Sequence, residues 1–494
     1  MTQQAYLVFD IGTGNARVAV TDMEGRILAL ERHDIAYERD ERYPDSCSFA
    51  PELLWTQITA LAKLVLTSVP DVHIVGITAT SQRQGIVLID TGGQAYVGLP
   101  NIDNRGREWE QSSGNSSHVY DVTGRTTSAL FSVMKLVGLR ERRRAQYEAL
   151  QRFTSISDWV TYELSGQLLY EPSQACETLL YDVTAGVWST EMCAHFGIDP
   201  AVLPPLVPSG TVVGTLTADR AAELGLSEHI PVVIGGGDTQ LAIASTAAQP
   251  GDIVIVSGTT TPIAKVSSQV VRDPTQTAWI NAHTTPGQWL IETNPGITGL
   301  NYQRLKAIFY PNESYAIMEQ EMSELGDSEC IAALGAYLST EKNARVQGGF
   351  LFNAPLADSL RRAHFVRAAL YEIAFSIKVQ FEQLVQVSPL GNPVIRACGG
   401  GLQSKLLVQT LADLLGREIH VLPGYEQASI AGAVAICNHA LGYRDQVEQQ
   451  QSVTTFMPQS SAALTQDYEQ WRQAQQFFAE RTQATAIAIA VSDS

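Results

Sequence analysis

Two short apolar runs that each end in a Gly-Thr turn, about half a chain apart, constrain this sequence more than any other feature. The first is Val8-Phe9-Asp10-Ile11-Gly12-Thr13, with Arg17 to Thr21 alternating behind it as a returning strand. The second is Ile253-Val254-Ile255-Val256-Ser257-Gly258-Thr259, with Pro262 to Val266 as its return. A lone hairpin cannot bury its apolar face, so each needs a sheet of its own. Two such hairpins predict two related domains facing one cleft. The break Ala247-Ala248-Gln249-Pro250-Gly251 suits a hinge, giving expected domains of 1–247 and 248–445 and a tail of 446–494.

The elements around the hairpins alternate. Leu53, Leu54, Ile58, Leu61, Ala62 and Val65 repeat at helical spacing, and strands are expected at 74–79 and 86–89. Later come a long amphipathic helix (Leu370 to Val385), a strand at 394–397, a glycine turn and a helix at 404–415. Strands alternating with helices make this an α/β protein. The Gln-rich tail from about 459 to 485 reads as a packed helix without chemistry.

Charge and cysteine usage exclude several functions. With 33 Lys+Arg against 51 Asp+Glu, the net charge of −18 would repel nucleic acid. The dense basic run, Arg140 to Arg144, reads as a solvated helix face. No apolar run spans a bilayer and no signal-peptide layout opens the chain, so a cytoplasmic protein with no membrane partner is expected. Six scattered cysteines and nine histidines show no zinc spacing, so any metal should be oxygen-bound and arrive with a substrate.

Four constellations can carry chemistry. In Asp10 to Arg17 (DIGTGNAR), a glycine turn admits phosphate oxygens, with Thr13 adding a hydroxyl, Arg17 a guanidinium and Asp10 a carboxylate for hydrated Mg²⁺. An ordinary hairpin turn explains it equally well. In Ile234-Gly235-Gly236-Gly237-Asp238-Thr239-Gln240, a carboxylate at a strand's carboxyl end could take a hydroxyl proton. A helix N-cap is the plainer reading of Asp238. Gly399-Gly400-Gly401-Leu402-Gln403-Ser404 suits a nucleotide lying on backbone, with Ser404 capping the helix or meeting the base. Ser81-Gln82-Arg83-Gln84-Gly85 and Asn101-Ile102-Asp103-Asn104-Arg105 are polar clusters able to bind several hydroxyls, or simply surface turns.

Taken in order, these segments resemble the FGGY carbohydrate kinase family over roughly Tyr6 to Gly442. The resemblance implies two ribonuclease-H-like (actin-like ATPase) domains with an ATP/sugar cleft between them. It makes DIGTG…R a phosphate hairpin and Asp238 of GGGDTQ the catalytic base. SGTTT implies that Gly258 and Thr259 touch ATP, TGLNYQ adds Gly299 and Gln303, and CGGGLQS puts Gly400, Gly401 and Ser404 on the adenine side. Arg83 and Gln84 carry over as acceptor contacts, with Asp103 beside them. Xylulokinases usually show Met-His where this chain has Arg83-Gln84. SQRQGIVLID, NIDNR, ISDW and GGGDTQL look nearer to kinases of the quorum-sensing signal dihydroxypentanedione. The family's common GERxP stretch is replaced by LSTEKNARVQGGF.

The expectation is an ATP- and Mg²⁺-dependent kinase acting on a small sugar or polyol, a ketopentose such as xylulose or else dihydroxypentanedione. A homodimer is compatible with it. An actin- or Hsp70-like conformational ATPase would share the hairpins but needs no Arg83, Gln84 or Asp103. A ligand-sensing pseudokinase would not need both Asp10 and Asp238.

Overall fold

The computed structural model describes residues 3–114, 116–326, 329–335, 347–391, 394–443 and 453–492, with 483–492 as backbone only. Residues 338–346 of the LSTEKNARVQGGF stretch lie outside the described residues. The chain divides into two compact units that are not contiguous in sequence. One comprises Met1–Pro250, Val266–Ile291 and Gln427–Gln451; the other comprises Gly251–Lys265, Glu292–Glu426 and Ser452–Ser494.

The first unit is built on a six-stranded mixed sheet in the order Val212–Thr215, Pro231–Gly237, Val72–Ser81, Gln3–Ile11, Asn15–Thr21, Ile27–Asp34. Gln3–Ile11 pairs antiparallel with Asn15–Thr21 and parallel with Val72–Ser81. Its side chains alternate between two cores, as strand geometry requires. Leu7, Phe9 and Ile11 join Leu54, Ile58, Ala62 and Val65 of the helix Pro51–Ser68. Tyr6 and Val8 join Leu241, Ile430, Ala433 and Val434 on the other face. A strand covered on both faces reads as an unbroken apolar run, which is why Tyr6 to Phe9 has no polar alternation.

Within this unit the helix Ala428–Ala440 lies against Asp238–Ser245. Gly432 makes the approach possible, since a Cβ there would stand 1.9 Å from the Leu241 carbonyl oxygen. Tyr6 donates its hydroxyl to Asn438 Oδ1 at 2.9 Å and ties the same helix to the central strand.

The second unit repeats the arrangement. Ile253–Val256 pairs antiparallel with Ile263–Ser267 and parallel with Ile395–Cys398, which pairs parallel with Ile419–Val421. Thr454–Phe456 closes the edge antiparallel, as Val212–Thr215 does in the first unit. Hairpin, central strand, parallel strand and antiparallel edge follow one another in both sheets, so the α/β expectation and the repeat of the hairpin hold. The tail helix Ala462–Ser492 packs Leu464, Tyr468 and Trp471 on Phe375 of the helix Arg362–Val387.

The Arg140–Arg144 run departs from expectation. The helix Ser132–Arg142 ends inside it, and Arg142 is not solvated: its side chain is only 5% exposed. It pairs with Asp45 at 2.7 Å and Glu108 at 2.8 Å and lies 4.5 Å over the Tyr43 ring. A planar, weakly hydrated guanidinium stacks on an aromatic face at little desolvation cost, which a helical-face reading cannot anticipate. Arg143 pairs with Asp40 and the exposed Arg144 with Glu148, so the run presents paired charge.

Candidate active site

The Gly12 amide donates to the Asn15 carbonyl at 2.9 Å and closes the first hairpin. Asp10, fully buried on the strand before it, receives Arg17 Nη2 at 2.5 Å and the Ser429 hydroxyl at 2.7 Å, both on Oδ2. Arg17 Nη1 donates to Gln427 Oε1 at 2.6 Å. Arg17 is thus occupied in holding Asp10. Asp10 Oδ1 is buried and has no hydrogen-bond partner. A buried carboxylate oxygen without a donor is a costly group, and it fits a hydrated Mg²⁺ that would supply the missing partner. No cluster of three metal-ligating carboxylate, His or Cys side chains occurs among the described residues.

Polar side chains bind this hairpin to the two polar clusters. Asn101 Nδ2 donates to the Thr13 hydroxyl at 2.9 Å, and Tyr37 donates to the Thr13 carbonyl at 2.6 Å. Gln82 donates to the Gly12 carbonyl at 3.1 Å and accepts from the Asn101 amide at 2.9 Å. Both clusters therefore pack against the turn instead of forming independent surface loops.

Asp238 is the first residue of the helix Asp238–Ser245, whose N-cap is Gly237, so the capping reading does not hold. Its Oδ1 accepts from the Thr239 amide at 2.6 Å and hydroxyl at 3.2 Å. Burial pushes its pKa up to about 6, with the Arg83 guanidinium pulling it down and Asp10 pushing it further up. A carboxylate poised near neutrality is suited to general-base work. Arg83 is buried beside it, its Cγ 3.4 Å from where a Gly237 Cβ would be, and the adjoining Gln84 is buried too. The structure thus draws Asp10, Asp238 and Arg83 into one electrostatic neighbourhood. Asp103 is engaged elsewhere: Arg105 Nε donates to its Oδ2 at 2.8 Å and the Cys47 amide to its Oδ1 at 2.8 Å.

In the second unit the three glycine motifs meet along Ser257-Gly258-Thr259. The Gly401 amide donates to the Ser257 carbonyl at 3.0 Å, and the Thr298 amide donates to the Thr259 carbonyl at 3.1 Å. A Cβ on Gly299 would lie 2.2 Å from the Gly258 carbonyl oxygen, and one on Gly401 would lie 2.2 Å from Ser257 Oγ. Gly258, Thr259 and Gly400 are exposed on this platform, as is Gln303 on the helix Gly299–Phe309. Ser404 caps the helix Lys405–Leu415, accepting from the Leu407 amide at 3.2 Å and donating to Glu319 at 3.2 Å.

With this geometry stand matches to two family profiles. The N-terminal domain of the FGGY family of carbohydrate kinases matches residues 5–244, and its C-terminal domain matches 253–441. The chain belongs to the FGGY family of carbohydrate kinases. Its members are ATP-dependent sugar kinases, and this chain is one. It is 55% identical to the "Putative sugar kinase YoaC" of Bacillus subtilis (strain 168) over 478 residues, covering 96% of this chain and 98% of that protein. It is 26% identical over 450 residues to the autoinducer-2 kinase of Escherichia coli (strain K12), covering 87% and 85%. The ligand-bound xylulose kinase of Lactobacillus acidophilus has the same fold, with a TM-score of 0.81, 17% identity and 98% of each chain covered. No helix among the described residues of this FGGY kinase is long and apolar enough to cross a membrane.

Sequence reading passed over several residues of this site. Ser429 and Gln427 reach Asp10 and Arg17 from more than 400 positions away, in a segment whose only local signal is a run of small residues. Glu177 and Arg125, both fully buried, lie behind Arg83 and Gln84. Each stands in the sequence as a single charged residue among small and uncharged neighbours, with no spacing that marks it.

Proposed function

We propose that this kinase transfers the γ-phosphoryl group of Mg-ATP to a primary hydroxyl of a small ketose, a ketopentose such as xylulose, with Asp238 as the base. The observation that carries the reading is the position of Asp238, at a helix start with Arg83 beside it, where burial pushes its carboxyl up to about 6. It is mostly ionised at neutral pH, yet basic enough to accept the hydroxyl proton as the oxygen attacks phosphorus. Arg83 and Gln84 contact the acceptor, while Asp103 is held by Arg105 and Cys47. Thr13 and Thr259 position phosphate oxygens, and Arg17 acts by orienting Asp10. Asp10 would hold the magnesium ion of Mg-ATP through water, where the ion offsets phosphate charge. Gly258, Gly299, Gln303, Gly400, Gly401 and Ser404 form the nucleotide platform. The reaction belongs in the cytoplasm, where ATP is held.

A second acceptor, dihydroxypentanedione, is favoured by Arg83-Gln84 in place of Met-His and by the autoinducer-2 kinase among the relatives. The experiment that tests both is ADP release from Mg-ATP across xylulose, ribulose, glycerol, erythritol and dihydroxypentanedione. Strong stimulation by xylulose supports the first reading and by dihydroxypentanedione the second. Release that ignores every acceptor overturns both.

A further inference from the structure

Arg83 and Gln84 do not stand alone. Glu177, fully buried, accepts Gln84 Nε2 on Oε2 at 2.5 Å. Its Oε1 accepts Arg125 Nη2 at 2.7 Å and lies 3.5 Å from Arg83 Nη1. Arg125 is itself fully buried and also donates to Asn281 Oδ1. Gln84 has a φ of 63°, left-handed backbone that a residue with a Cβ adopts only where its surroundings enforce it. Ser132 helps to enforce it, its hydroxyl meeting the Gln84 carbonyl at 3.0 Å and the Glu177 carbonyl at 3.1 Å.

A buried carboxylate must be paired, and here a second guanidinium, Arg125, shares Glu177 Oε1 with Arg83 and anchors it. We infer that Glu177 is a positioning residue for acceptor selection: it fixes Arg83 and Gln84 so that their donors meet an acceptor with adjacent carbonyl and hydroxyl oxygens. The inference rests on the reading that Arg83 and Gln84 contact the acceptor. A preset pair of donors rejects an analogue lacking a matching oxygen far more strongly than an apolar pocket rejects a missing methylene. Glu177 thereby sets selectivity without touching the substrate.

The test is steady-state kinetics of Glu177→Gln, Glu177→Asp and Arg83→Gln, alone and combined, with D-xylulose and dihydroxypentanedione run in parallel. Losing hydrogen bonds to a charged group should raise the acceptor KM about tenfold or more in Glu177→Gln, while the ATP KM stays within about twofold. Added to Arg83→Gln, the same change should cost clearly less than it does alone, because the part of its effect that passes through Arg83 is already gone and only the hold on Gln84 remains to lose. If Glu177→Gln does not fold, Glu177→Asp keeps the charge, shortens the reach by one methylene and carries the same readout. An unchanged acceptor KM in a folded Glu177 variant, or full additivity with Arg83→Gln, overturns the inference. An Arg83→Gln enzyme with normal acceptor kinetics instead overturns the assignment of Arg83, and the role of Glu177 falls with it.

Discussion

Ser429 donates its hydroxyl to Asp10 Oδ2 at 2.7 Å although 419 residues separate the two. Arg17 meets the same oxygen at 2.5 Å, so two donors fill one lobe of the carboxylate and leave Oδ1 unpartnered. The result is an oriented carboxylate, with one oxygen held by protein and the other buried without a hydrogen-bond partner.

Removing that hold should show in the metal requirement. Ser429→Ala deletes one hydrogen bond to a charged group, about 1.5–3 kcal/mol. The Mg²⁺ concentration giving half-maximal rate should rise about tenfold in a magnesium titration at saturating ATP. An unchanged titration curve would sink the assignment of Asp10 as the metal-holding residue.

Asp238→Asn should lower kcat by about two to four powers of ten while ATP binding, followed by calorimetry, stays intact. In the unaltered enzyme, kcat/KM should fall as pH drops through about 6, since the base works only when ionised. An acid limb that survives unmoved in the residual activity of the Asn variant would assign that limb to another group.

Glu171 offers a stability test. It is buried beneath the strand that leads to Asp238, bonded to Ser173, whose hydroxyl accepts from the Gly237 amide at 3.0 Å. Burial pushes its pKa up to about 8. A carboxyl raised in the folded state is stabilising in its neutral form below about pH 4.5, and that contribution is lost as pH rises through about 8. Glu171→Gln should therefore gain on the unaltered protein between pH 5 and 8, by on the order of a few kcal/mol. Parallel thermal melts across that range would contradict the raised pKa.

Gly432→Ala forces a Cβ to 1.9 Å from the Leu241 carbonyl. Backbone cannot yield by that amount without moving the helix that carries Ser429, so a loss of about 2–4 kcal/mol is expected. The Mg²⁺ concentration giving half-maximal rate should rise as the melting temperature falls. A variant that melts normally would mean that the two helices can part without cost.

Much of this protein is local enough to read from its residues. The hairpin at Asp10–Arg17, its echo at Ile253–Val266 and the glycine turn at 399–401 depend on neighbours within about ten positions and lie where the pattern puts them, while Gly235–Gly237 complete the strand Pro231–Gly237 that runs directly into the helix of Asp238. Asp238 was legible because strand, glycines and carboxylate are consecutive. Arg142 was misread for a related reason: periodicity reports which helix face a residue occupies, and the rings of Tyr43 and Trp109 come from elsewhere in the chain.

The chain by itself determined the family, the two hairpin sheets and the place of Asp238 at a strand's end, since these are written in contiguous segments with fixed local geometry. Tertiary structure alone decided what surrounds them. It brought Gln427 and Ser429 back to the first unit, turned Arg17 onto Asp10 and set Glu177 behind Arg83 and Gln84. Buried charges must find partners wherever packing delivers them, and burial is a property of the folded molecule that no local spacing records.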